Sequence, residues 1–122
     1  MQTFDADGFQ GTILAAQRDV EALFALSERL SLEPVTTDTT NCADKQANSE
    51  FTRLAQAAEL SLQAALDDVD GQTLTHFDTA LDELRLARLH FFLNVAGNRA
   101  NSHLHIDNAH RAFAEGITEF IN

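Results

Sequence analysis

The stretch "FQGTILAAQRDVEALFALSERL", residues 9–30, decides the fold. Phe9, Ile13, Ala16, Val20, Leu23, Ser27 and Leu30 recur at alternating spacings of four and three. That is the seam of a helix packed against near-antiparallel neighbours. Leu14 and Leu26 widen the stripe, which predicts a bundle helix rather than one strand of a narrow coiled coil. Asp7, with Gln10 three residues on, forms a loose capping box at its start. The helix should end near Leu32, ahead of Pro34, the only proline.

Three further segments carry the same period. Ala47, Phe51, Leu54, Ala58, Leu62, Ala65 and Val69 mark a second helix. "DVDGQT" closes it, with Gly71 placed for a left-handed conformation. Leu74, Phe77, Leu81, Leu84, Phe91 and Phe92 share one face of a third, which opens at Thr73 or Thr75 and ends before Gly97. Ile106, Ala109, Phe113, Ile117, Phe120 and Ile121 stripe a fourth, capped by Asn101 or Ser102. Residues 33–41, "EPVTTDTTN", are polar, threonine-rich and without helical period, so they read as the one long loop. That loop also gives the chain freedom to cross from one end of the bundle to the other. No sustained alternation of polar and apolar residues competes. The expected fold is all-α: one four-helix bundle over residues 1–122, with a longer polar loop between helices 1 and 2.

Composition narrows the partners. Nineteen acidic residues against eight basic give a net charge of −11, and Lys45 is the only lysine. Such a chain repels nucleic acid and anionic membrane and favours basic partners. The single cysteine, Cys42, cannot form an internal disulfide and points to a reducing compartment. No basic region precedes an apolar run at the N-terminus, and no apolar stretch approaches the roughly 18 residues needed to span a bilayer. The expected location is the cytoplasm.

Three of the five histidines fall in "SHLHIDNAH", residues 102–110. His103, Asp107 and His110 lie along one edge of the fourth helix, which suits three ligands of a metal. A fourth ligand would come from His90, Glu83 or Cys42. Metal-binding bundles draw ligands from facing helices through Glu-x-x-His pairs, and this chain has none. The three residues are therefore expected at the boundary between core and solvent, with His110 partly buried and hydrogen-bonded and His103 mostly exposed. His76, Glu83 and His90 line up seven apart and read as a solvated face.

Arg85 to His90 is Arg-x4-His and Arg99 to His105 is Arg-x5-His. This spacing resembles the Arg-x4-6-His motif of HEPN-type RNases, which are helical bundles. The resemblance implies that the histidine serves acid–base chemistry and the arginine stabilises phosphate charge. The chain departs from the pattern: Ala100 rather than a polar residue follows Arg99, Arg85 and His90 fall mid-helix, and the net charge disfavours RNA. Other constellations are missing. "DADG" lacks the later ligands of a calcium loop, and there is no Gly-rich phosphate loop.

Charge and surface apolarity remain. Asp67, Asp68, Asp70, Asp78, Asp82 and Glu83 surround the turn between helices 2 and 3, with no Lys or Arg among them. Leu86, Leu89 and Leu93 form a second apolar flank on helix 3, more than one bundle seam requires. The expectation is a small, acidic, non-enzymatic interaction protein without cofactor: a regulator, adaptor or inhibitor or immunity-type protein. It would bind a basic or helical partner through the acids, and a second copy of itself through the leucines. A metal-binding bundle and a HEPN-like RNase are the alternatives. Leu23, Leu54, Leu81 and Phe113 are expected in the core, each costing roughly 2–5 kcal/mol on truncation to alanine.

Overall fold

The structure, a computed structural model, describes residues 6–32, 42–92 and 98–121. Four helices run through them: α1 (Ala6–Ser31), α2 (Cys42–Leu66), α3 (Gly71–Phe92) and α4 (Asn98–Ile121). They pack as the expected four-helix bundle, and no strand occurs among the described residues.

Cross-helix contacts fix the topology. Thr12 Oγ1 donates to Asp68 at 2.7 Å and Arg29 meets Glu50 at 3.8 Å, so α1 and α2 run antiparallel. Arg88 with Glu59, and Phe91 with Phe51, align α2 and α3 the same way. His76 with Glu115 and His105 with Glu83 do so for α3 and α4, and His110 with Glu21 and Ser27 with His103 for α4 and α1. Each helix therefore packs on the next and α4 closes onto α1. Among the described residues the two diagonal pairs make no close backbone approach. The chain goes up, down, up, down. The segment between α1 and α2 joins neighbours at one end of the bundle, and no crossover is needed. The conformation of residues 33–41 lies outside the described residues, as do Leu93, Gly97 and the side chains of Asp7, Phe9, Gln10, Cys42 and Phe92.

The core follows the seams read from the sequence. Ile13, Ala16, Val20, Leu23, Ser27 and Leu30 of α1 are all buried, and Leu23, Leu81 and Phe113 are among the core residues. α2 buries alanines at 47, 55, 58 and 65, and Phe51 fills the space beside them by stacking on Phe91 at 3.9 Å. Gly71 adopts φ 59°, the left-handed conformation a side chain would resist. α3 starts at that glycine, earlier than Thr73 or Thr75, and Leu74 N bonds to Asp70 O.

Several expected positions shift. Leu54 is partly buried and Ala55 takes the deep place, because Leu54 falls at the edge of the α2 stripe. Leu14 is exposed, since 100° per residue puts it opposite Leu23. Leu74 is exposed because it stands beyond the end of α2 at Leu66, and Ile121 is exposed at the last residue of α4. α4 begins at Asn98, so Ser102 is no cap. It is buried and donates to Ala87 O across the α3–α4 seam at 2.8 Å.

One ion pair in the α2–α3 seam is incompletely satisfied. Glu59 is 13% exposed, Oε1 meets Arg88 Nη2 at 3.3 Å, and Oε2 is buried without a hydrogen-bond partner. Removing the cation leaves a carboxylate in a place that water barely reaches, whereas removing both charges relieves the desolvation cost. We expect Arg88→Leu to lower stability by about 1–3 kcal/mol, and Glu59→Leu added to it to recover most of the loss. Urea unfolding measures both; an unchanged midpoint for Arg88→Leu alone would contradict this reading.

Candidate functional site

All five histidines lie on seams made by α4. The helical wheel explains the sorting. His103 and His110 fall on the α1 side of α4's buried stripe, and His105 falls about 150° away on the α3 side. His110 Nε2 lies 2.7 Å from Glu21 Oε1, and its ring stacks on Phe24 at 4.5 Å. The expected half-buried, hydrogen-bonded His110 is found. His103 is not mostly exposed: it is half-buried, with Nδ1 3.0 Å from Ser27 Oγ and its ring 5.4 Å from Phe24. α4 starts early enough that His103 stands in its second turn, clear of the helix end.

Asp107 accepts from Arg111 Nη2 at 2.6 Å, one turn along α4. The three residues considered as metal ligands thus engage Ser27, Arg111 and Glu21 in turn. Among the described residues no three His, Cys, Asp or Glu side chains are grouped so as to hold a metal ion.

The row His76, Glu83, His90 is a seam rather than a solvated face. His76 Nδ1 is 3.5 Å from Glu115 Oε2, Glu83 Oε2 is 2.6 Å from His105 Nδ1, and the His90 ring stacks on His105 at 4.9 Å. The sequence pattern misses this cluster because its members are far apart along the chain. The signal was available: α3 ends at Phe92 and α4 begins at Asn98, and an antiparallel hairpin folded midway between those ends lays Glu83 within a turn of His105. The arginines of the two HEPN-like spacings have other neighbours. Arg85 reaches Asp82 at 3.7 Å, and the Arg99 guanidinium lies over the Phe91 ring at 6.0 Å.

The acids around the α2–α3 turn are solvent-facing apart from Glu83. Asp67, Asp68, Asp70, Asp78 and Asp82 are exposed, with Asp68 accepting from Thr12 and Asp82 tied loosely to Arg85. α3 also keeps its leucines outside. Leu86 is 41% and Leu89 59% exposed, on a helix whose opposite side carries buried Phe77, Ala80, Leu84 and Ala87. On the α2 side of that face, Leu60 is 69% exposed. It lines an open groove of about 270 Å³ with Gln56, Glu59, Gln63, Arg85 and Arg88. The groove sits where α2 and α3 pack less tightly than α3 and α4 do.

No helix among the described residues is long and apolar enough to cross a membrane. No family model matches the chain, and comparison with curated proteins and with solved structures finds no match.

Proposed function

We propose that this protein is a non-catalytic protein-interaction module and that the outer face of α3 is its docking surface. The observation that carries this reading is the exposure of Leu86 and Leu89. Burying apolar side chains is the main gain in association, at roughly 25 cal/mol per Å². Two neighbouring leucines left in water on a well-packed helix mark a surface with a further layer to receive. Asp78 and Asp82 lie on that face, with Asp67, Asp68 and Asp70 at the turn ahead of α3, and the acids favour a partner that presents cations. The imidazoles, which would serve acid–base chemistry in an enzyme, are used between helices, a structural employment that supports a non-enzymatic role. The lone cysteine supports a cytoplasmic setting.

The test is a paired purification from the native host. Wild type and the variant carrying Leu86→Glu and Leu89→Glu are compared, with circular dichroism showing equal helicity. A stoichiometric protein partner, of another kind or a second copy, should accompany wild type and be lost from the variant. Equal recovery of that partner on both proteins would remove α3 from the role.

A further inference from the structure

The outer face of α3 has an order that its composition hides. Asp78, Asp82, Arg85 and Leu89 are spaced four, three and four apart, so at 100° per residue they fall within about 60° of one another. All four are exposed. The row is symmetric about the point midway between Asp82 and Arg85. Turned end for end, it lays Asp82 against Arg85 and Asp78 against Leu89. We propose that α3 docks a second copy of this chain, helix antiparallel to helix about a two-fold axis through that point. This rests on the reading of α3 as the docking surface and names the occupant.

Charge selects both the occupant and the direction. In the antiparallel arrangement each copy's Arg85 faces the other's Asp82, giving two unlike pairs across the axis. A parallel arrangement puts Asp78 on Asp78, Asp82 on Asp82 and Arg85 on Arg85, all repulsive. For a chain of net charge −11, approach needs its cations at the contact, and Arg85 is the cation on this row. Its present tie to Asp82 of the same helix is 3.7 Å long, with 51% and 64% of the side chains exposed. Exchanging it for the same contact across the axis therefore costs little. Leu86 lies about 4 Å along the helix from the axis at 1.5 Å rise per residue and one step of about 40° round from Asp82, so the two copies' Leu86 side chains flank the charge pairs on one side. Leu89, roughly three turns from its counterpart in the second copy, stands against that copy's Asp78 at either end of the contact. Each surface thus meets itself, as a two-fold interface demands.

The arrangement is tested with two charge reversals kept on separate chains. In a homodimer of Arg85→Glu, the introduced carboxylate faces Asp82 twice. In a homodimer of Asp82→Arg, the introduced guanidinium faces Arg85 twice. In the mixture, the carboxylate introduced at position 85 of one chain faces the guanidinium introduced at position 82 of the other. The Asp82 kept by the first chain then faces the Arg85 kept by the second. Sedimentation at fixed ionic strength should show wild type dimerising, each variant alone dimerising at least about tenfold more weakly, and the equimolar mixture regaining a dimer near wild-type strength. Mass spectrometry of the mixture should find one chain of each kind. Wild type remaining a 13.4 kDa monomer at all concentrations, or a mixture no stronger than its components, overturns the proposal. If wild type is monomeric while Leu86→Glu with Leu89→Glu still loses another protein, the docking face stands and only the second copy is refuted.

Discussion

Phe77→Ala is expected to lower the unfolding free energy by about 3–5 kcal/mol, the range for removing a buried aromatic ring. Phe77 is fully buried on α3 and its ring stacks on Phe113 of α4 at 4.8 Å. It stands in the tightest seam of the bundle, where Ser102 also ties α4 to the α3 backbone. The surrounding positions are occupied by backbone and by other rings, so the space left behind cannot close without moving a helix. Urea unfolding followed by circular dichroism gives the number. A loss below about 1 kcal/mol would mean the seam collapses around the gap, contrary to the cavity cost expected in a close-packed core.

The second large effect is at Gly116. A Cβ placed there would lie 2.5 Å from both Cδ1 and Cε1 of Phe77 and 3.1 Å from Cβ of His76. Phe77 is itself held by Phe113, so the ring cannot swing away freely. Gly116→Val should therefore cost about 3 kcal/mol by overpacking, although valine removes the backbone freedom that makes glycine a poor helix residue. The two sites share one contact, and their effects should not add. In the Phe77→Ala background, Gly116→Val enters the vacated space and should cost little or even stabilise. Simple additivity of the two changes would show that Gly116 is glycine for another reason.

These predictions rest on features of unequal visibility in the sequence. The α1 row from Ile13 to Leu30 and the α3 and α4 rows around Phe77 and Phe113 can be read directly, because burial repeats with the helical period and the period is local. The same arithmetic, carried through, sets Leu14 outside: the residue stands half a turn from Leu23. Gly71 is legible because a left-handed conformation is a single-residue property. The early start of α4 is not, since Asn98 and Arg99 carry no stripe; it moves His103 from a helix end into a packed seam. Of the candidate site, the acids and Leu86 and Leu89 are visible as composition. The row that Asp78, Asp82 and Leu89 share with Arg85 follows from periodicity alone.

What the sequence by itself determined is the number of helices, the faces they bury and the residues left over on the outside of α3. All of these depend on spacings within ten or so residues, where 3.6 residues per turn acts as a ruler. What only the tertiary structure decided is which face meets which. Glu83 finds His105, His90 lies on His105, His110 finds Glu21, and Glu59 is left with one satisfied oxygen. Those pairs join residues from 15 to 89 apart along the chain. Polar groups at the edge of a stripe have no local preference for one neighbour over another. The rotation and register of each helix, set by how phenylalanines fit against alanines and Gly116, choose their partners.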